Sequence, residues 1–391
     1  MSARPRIRLG CEQLFDGEDL AHVRGRRVGL VTNHSGVDGD LRATADRLHA
    51  TDGVDLALLF GPEHGIRGDA EDGVGVDSAT DAHTGVPTIS LYGERRQPSA
   101  EELARLDVLL FDIQDVGVRF YTYLYTMSQS MVACAEAGVP VVILDRPNPL
   151  GGVEVAGNIL DPEFASFVGR YPIPVRYGLT VGELARMFNE QFDIGADLHV
   201  VDMVGWRRTM LWEDTGLPWV APSPNMPTPD TANVYPGMCF FEGTNVSEGR
   251  GTTRPFEQVG APYIDGFDLA DRLNALRLPG TAFRPVFFRP SFGKYEGQTC
   301  RGVQLHASRG APFEPLRAGF EALAAVRHGW PGQFEWRTNR VGIHNFDKLA
   351  GSDSVRRAID AGTPVDELLA SWARDRTGFE VTRQKYLQYP L

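Results

Sequence analysis

The chain is poor in several features, and each shortage excludes a class of function. Its four cysteines among 391 residues, Cys11, Cys134, Cys239 and Cys300, lie far apart and form no Cys-x-x-Cys pair. A disulfide framework or zinc ribbon is therefore not expected; four reduced, mostly buried thiols are. Cationic charge is in deficit, with 39 Lys+Arg against 51 Asp+Glu and a formal net charge of −12. That balance argues against a broad nucleic-acid or anionic-membrane face. No apolar run exceeds the length of a strand, so no membrane span is expected. Residues 1–6 lead into polar sequence without the apolar stretch of a signal peptide, so a cytoplasmic location is expected, with export only if the start is truncated. Internal repeats and low-complexity tracts are missing. So are His-Glu-x-x-His, an EF-hand loop and a Walker Gly-Lys-[Ser/Thr] ending, and the Gly-Val-Gly at 73–75 follows no strand and lacks a third glycine. No metal and no cofactor are expected.

What is present is an ordinary globular composition, 42% hydrophobic and 23% charged, long enough for two to three domains at about 150 residues each. Glycine (43) and proline (26) exceed their usual joint share of about 12%, which implies many shaped loops. Near-continuous apolar runs at 27–32, 55–60, 87–91, 107–113 and 140–144 suit parallel strands buried on both faces. Helical stretches at 41–49, 99–106 and 122–137 alternate with them. Ser99 with Glu102, and Thr180 with Glu183, form capping boxes, and Gly138 stands where a helix C-cap glycine belongs. The alternation predicts a doubly wound α/β sheet, with a further strand at 198–204. The Pro- and Asn-rich stretch 217–236 reads as a long irregular connection. It places a boundary between residues 1–225 and 226–391. The second part reads as α+β, with helices near 267–276, 315–328, 353–361 and 365–374 and strands at 283–288 and 302–305.

Chemistry gathers after the strands. Asn33 and His34 follow the first, Glu63 and His64 the second, and Asp112, Gln114, Asp115 and Arg119 the fourth. Asp145, Arg146 and Asn148 follow the fifth. Ligands of open parallel sheets bind outside the carboxyl ends of the strands, so these loops are the site candidates. Glu63, between Pro62 and the flexible Gly65, can serve as a general acid or can brace its loop by accepting backbone N–H groups. Asp112 and Asp115 can bind a metal, cap the helix near Thr122, or pair with Arg119. Tyr121 and Tyr123 offer a stacking platform for a sugar, or core rings. The loop 241–253 holds Glu242, Asn245, Ser247, Glu248, Arg250 and Thr252 among three glycines, a composition fit for a polar ligand.

Taken in order, Gly-Pro-Glu-His-Gly (61–65), Asp-x-Gln-Asp-x-Gly-x-Arg-x-Tyr-Thr-Tyr (112–123), Asp-Arg-Pro-Asn-Pro (145–149), Pro-Ser-Pro-Asn-Met-Pro (222–227) and Phe-Glu-Gly-Thr-Asn-x-Ser-Glu-Gly-Arg-Gly-Thr (241–252) resemble the exo-β-N-acetylmuramidases of the NamZ type. This glycoside hydrolase family was once known only as a domain of unknown function. The resemblance spans roughly residues 9–391. It implies a Rossmann-like, mostly parallel domain, a smaller α+β carboxy-terminal domain, and a cleft between them. It also implies release of N-acetylmuramic acid from the non-reducing end of peptidoglycan fragments, a small-molecule substrate. Glu63 maps to the favoured catalytic residue, and His64, Asp112, Asp115, Glu242 and Glu248 are the further candidates for catalysis. Arg119, Arg146 and Arg250 are candidates for the lactyl carboxylate of muramic acid, and Asn225 joins the substrate-contact candidates through its motif. The rival functions are a non-catalytic muropeptide or sugar-binding protein and a metal-assisted phosphoesterase built on Asp112, Asp115 and His34.

Overall fold

A computed structural model describes residues 6–63, 65–67, 79–93, 95–308 and 310–391. The first part of the chain contributes β1 (Arg27–Thr32), β2 (Asp55–Gly61), β3 (Ala79–Thr80), β4 (Pro87–Ser90), β5 (Val108–Asp112), β6 (Val141–Leu144), β7 (Ala156–Ile159), β8 (Pro174–Arg176) and β9 (Leu198–Val201). Seven of these form one sheet in the order β3-β4-β2-β1-β5-β6-β9. Every neighbouring pair is parallel except β3 with β4. With the short β3 set aside, the sequence of strands across the sheet is that of a Rossmann-like doubly wound fold, and the order reverses between β1 and β5. The central strands β5 and β6 are buried along their whole length. Their lack of alternation is what a sheet covered on both faces requires.

The covering helices begin and end on local signals. Ser99 and Thr180 accept from the backbone N–H three residues on, and Glu102 and Glu183 return the bond to the cap. The helix Tyr123–Ala137 stops at Gly138, in the left-handed region at φ 67°, as expected of a C-cap glycine.

The second part carries β10 (Gln258–Ala261), β11 (Thr281–Phe288) and β12 (Cys300–Ala307), an antiparallel sheet in the order β10-β12-β11. Helices Gly266–Ala275, Pro315–Gly329, Asn345–Ala350, Ser354–Asp360 and Val365–Ser371 complete it. Two expectations need correction. The stretch 217–236 is not irregular throughout, because Thr228 caps a helix Pro229–Met238 by accepting from the Thr231 N–H, with Pro229 at its first position. The helix expected over 365–374 is two, the second running Ala373–Arg383. The antiparallel pair β7–β8 has no counterpart among the strands expected from the sequence.

The two parts share one hydrophobic core. Phe111 of β5 and Met127 of the following helix belong to the same buried cluster as Phe240, Phe320 and Phe346. The carboxy-terminal segment returns to the first part, where the Tyr389 hydroxyl donates to Asp145 at 2.5 Å. Arg119 is a cross-link between them. Its guanidinium is fully buried and donates to the carbonyls of Asn158 (2.8 Å), Ile173 (2.9 Å), Leu349 (3.1 Å) and Ala350 (2.7 Å). Burial pulls it down to about 10, still charged at neutral pH. All four cysteines are buried and free. Replacing Arg119 by Met removes four buried hydrogen bonds to backbone carbonyls and is expected to destabilise the fold by about 3 kcal/mol. A lowered urea midpoint at constant slope is the readout, and an unchanged midpoint contradicts the cross-link.

Candidate active site

The crevice where the sheet order reverses is closed. Thr32 at the end of β1 lies opposite Asp112 at the end of β5, and the Thr32 hydroxyl donates to the Asp112 carbonyl at 2.8 Å. A Cβ added at Gly36 would stand 2.1 Å from Thr32 Oγ1 and 2.8 Å from the Asp112 carbonyl oxygen, so only glycine lets that loop lie against the strand ends. Asp112 is neutralised in place. Arg146 donates to it from Nε (2.5 Å) and Nη2 (2.9 Å), and the Thr44 hydroxyl donates at 2.6 Å. This corrects the pairing expected with Arg119, and it ties up Arg146 as a carboxylate ligand. Cys11 lies beside the pair, where burial pushes its thiol up to about 12.

The neighbouring candidates brace loops. Asn33 donates to the Pro222 carbonyl (3.0 Å) and accepts from the Ser35 N–H and hydroxyl. His34 Nε2 meets the Ala221 carbonyl at 2.5 Å. Gln114 donates to the carbonyls of Asp115 and Pro147. Asn148 donates to Leu179 and accepts from the Leu150 N–H. Asp145 accepts from Gly182, Thr180 and Tyr389, and burial nonetheless pushes its carboxyl up to about 7. Asn225 is buried in the segment that supplies Pro222. Asp112, Asp115 and His34 do not converge. Among the described residues the one trio spaced to hold a metal is Asp19, His22 and His199, elsewhere on the surface.

An open cleft of about 620 Å³ lies to the side, between the two parts of the chain. One wall carries Glu63, Tyr121 and Tyr123; the other carries Glu242, Glu248 and Arg250. Glu63 sits in a tight turn directly after β2, closed by a hydrogen bond from the Gly65 N–H to the Pro62 carbonyl at 3.0 Å. Gly65 has φ 73°, which a side chain would resist. The Glu63 side chain lines the cleft and accepts no hydrogen bond from a backbone N–H among the described residues. His64 lies outside the described residues. Tyr121 and Tyr123 meet edge to face, with ring centroids 5.1 Å apart, and donate to Ser223 Oγ (3.0 Å) and the Pro222 carbonyl (2.8 Å). Burial raises the Tyr121 hydroxyl well above the phenol range, with Tyr123, Asp115 and Glu63 adding to the shift.

On the far wall the carboxylates are clamped by cations. Arg250 Nη2 donates to Glu242 at 2.7 Å, and its Nε lies 3.6 Å from Glu248. Lys294 donates to Glu248 (2.8 Å) and to the carbonyls of Phe241 (2.8 Å) and Val246 (2.9 Å), fixing both ends of the loop that presents the acids. Burial pulls the Lys294 ammonium below the usual lysine range, against the opposing pull of Glu248. Asn245, Ser247 and Thr252 hold the loop itself. Asn245 accepts from the Tyr263 hydroxyl and the Glu335 N–H, Ser247 pairs with Gly260, and the Thr252 hydroxyl donates to Gly249.

Family models for the exo-β-N-acetylmuramidase NamZ match the chain almost throughout, the N-terminal model over residues 28–230 and the C-terminal model over 233–389. The chain belongs to the NamZ family. It is 47% identical over 386 residues to the peptidoglycan β-N-acetylmuramidase NamZ of Bacillus subtilis (strain 168), an alignment covering 99% of this chain and 92% of that protein. Crystal structures of two DUF1343 family proteins from Bacteroides fragilis NCTC 9343 share the fold. One has a TM-score of 0.90 at 38% identity, covering 99% of this chain and 100% of that one; the other has 0.79 at 32%, covering 99% of each.

Of the candidates read from the motifs, this NamZ-family cleft gathers Glu63, Tyr121, Tyr123, Glu242, Glu248 and Arg250. Lys294, Arg337, Asn345 and Lys348 also line it, and none was anticipated, because each stands in a stretch without motif character. One signal was available: the chain has three lysines against thirty-six arginines, and two of the three are Lys294 and Lys348.

Asp115 lies outside the cleft and makes a pH prediction. It accepts from the Gly117 N–H and the Tyr177 hydroxyl, its Oδ1 meets no donor among the described residues, and burial pushes the carboxyl up to about 6. An unfolded Asp titrates near 3.9, so its folded form holds the extra proton between the two values. That contribution is full below about pH 4 and is lost as pH rises through about 6. Asp115→Asn carries no charge to bury. Its stability relative to the native chain should rise by up to about 3 kcal/mol between about pH 4 and about pH 8, measured by urea unfolding; a difference that does not change with pH overturns the assignment.

Proposed function

We propose that the chain is an exo-acting glycoside hydrolase that cleaves the β-1,4 bond behind a non-reducing terminal N-acetylmuramic acid of peptidoglycan fragments, with Glu63 as general acid/base. The observation that carries this reading is the gathering of carboxylates in one cleft, Glu63 from the first part of the chain and Glu242 with Glu248 from the second. Glycoside cleavage needs an acid to protonate the leaving oxygen and a second group opposite to support the positive charge that develops at the anomeric carbon. In this scheme the Glu63 carboxyl gives its proton to the glycosidic oxygen as the bond to the anomeric carbon breaks. Water then adds to that carbon, and its proton passes to the Glu63 carboxylate, which regenerates the acid. Arg250 and Lys294 hold the far acids at fixed positions, which limits the reorganisation required as charge develops. Tyr121 and Tyr123 contribute aromatic edges and hydroxyls to the wall a sugar ring would meet.

The family and its Bacillus subtilis relative are named for this activity. The phosphoesterase alternative loses its basis with the separation of Asp112, Asp115 and His34. Glu63→Gln keeps the size of the side chain and removes the transferable proton. It is expected to lower kcat on a chromogenic β-N-acetylmuramide by about 10²- to 10⁴-fold, with circular dichroism and unfolding midpoint retained. Turnover at the native rate rules out the acid role, and saturable binding without any turnover by the native chain favours a sugar-binding protein instead.

A further inference from the structure

We propose that Arg337 and Lys348 form a carboxylate-binding subsite in the cleft, receiving the lactyl group that distinguishes muramic acid from N-acetylglucosamine. The inference rests on the proposed glycosidase reading for the identity of the sugar, and on the residues below for the site.

Four cations line the cleft among the described residues, and two have their charge committed. Lys294 is buried, with its ammonium shared among Glu248 and backbone carbonyls. Arg250 bridges Glu242 and Glu248 and lies over the Phe256 ring at 5.0 Å. Arg337 and Lys348 differ. Both line the cleft, and the side chain of neither makes a hydrogen bond or ion pair with a described residue. The two come from adjoining backbone. The Arg337 N–H donates to the Gly243 carbonyl at 2.8 Å, and its own carbonyl accepts from Asn345 at 2.9 Å. Lys348 is three residues further along the helix Asn345–Ala350, on the face it shares with Asn345. The backbone that carries both cations is therefore tied to the turn that carries Glu242. Arg337 lies close enough to Lys294 to contribute to that lysine's downward shift.

The chemistry of the sugar supplies the reason for uncommitted cations. Muramic acid is N-acetylglucosamine bearing a lactyl ether, so a carboxylate is the feature that separates the two. Recognition of an anion by a chain of net charge −12 needs local positive charge that no protein carboxylate has already neutralised. An arginine fork with a lysine beside it suits a carboxylate, the fork through paired N–H groups and the ammonium as a point charge. Of the three arginines the motifs suggested for this task, Arg119 and Arg146 are buried on backbone carbonyls and on Asp112, and Arg250 is held by Glu242 and Glu248.

The test measures binding, so it does not depend on turnover. Titration calorimetry with N-acetylmuramic acid, its methyl ester and N-acetylglucosamine is run on the native chain and on Arg337→Met, Lys348→Met, the double variant and Arg337→Lys. The native chain should favour the free acid over both uncharged sugars. Each Met variant should cut that preference about 10- to 100-fold, the double variant should abolish it, and Arg337→Lys should recover part of it. A preference that survives in the double variant overturns the subsite, as does equal weakening of all three ligands. Hydrolysis of a chromogenic muramide is measured in parallel. Selective binding without hydrolysis by the native chain supports the subsite and contradicts the glycosidase reading; hydrolysis with an unaltered acid preference in the variants does the reverse.

Discussion

The architecture turns on how the charge of Asp112 is neutralised at the end of β5. A carboxylate buried there is tolerated only with a full set of donors, and Arg146 and Thr44 supply them. That pair, with Thr32, Gly36 and the Asn33–Pro222 contact, fills the crevice in which a Rossmann-like sheet commonly holds its ligand. The binding space is therefore displaced. It opens to the side, where the turn after β2 and the helix start after β5 face the second part of the chain. One sheet geometry thus yields a cleft at its side in place of a nucleotide crevice.

The opposing wall is useful only if it cannot drift. A core shared between the two parts, Arg119 reaching the carbonyls of Leu349 and Ala350, and Tyr389 returning to Asp145 make the cleft a fixed space between two faces of one body. On this frame Lys294 and Arg250 hold Glu242 and Glu248 across from Glu63. Positions set in advance suit a reaction whose barrier is dominated by charge appearing at one carbon. The cleft also separates its cations into those that clamp acids and those left to meet a ligand.

Much of the fold was legible because its signals are local. Buried strands show as unbroken apolar runs, Ser99 and Thr180 announce helices, and Gly138 ends one. The helix Pro229–Met238 was hidden because the Pro and Asn content of 217–236 reads as loop, although Thr228-Pro229-Asp230 is a start signal. The site was legible only as a set of loops. Composition places Asp112, Asp145, Arg119 and Arg146 in the same kinds of motif as Glu63 and Glu242, and nothing in a motif says which way a side chain faces. Burial decides that, and burial is a property of the assembled chain. Residues that brace loops and residues that line the cleft thus share motifs, while Lys294, Arg337 and Lys348 reach the cleft from segments with no motif at all.

We propose that the sugar occupies the cleft between the two parts, with its scissile oxygen at Glu63. The most direct test is a crystal structure of the Glu63→Gln variant with a muramic acid–N-acetylglucosamine disaccharide bound. The muramic ring is expected between Tyr121 and the Glu242–Glu248 wall, with the glycosidic oxygen within hydrogen-bond reach of residue 63. A disaccharide bound at the strand-end crevice, or one whose glycosidic oxygen lies beyond reach of that side chain, would contradict it.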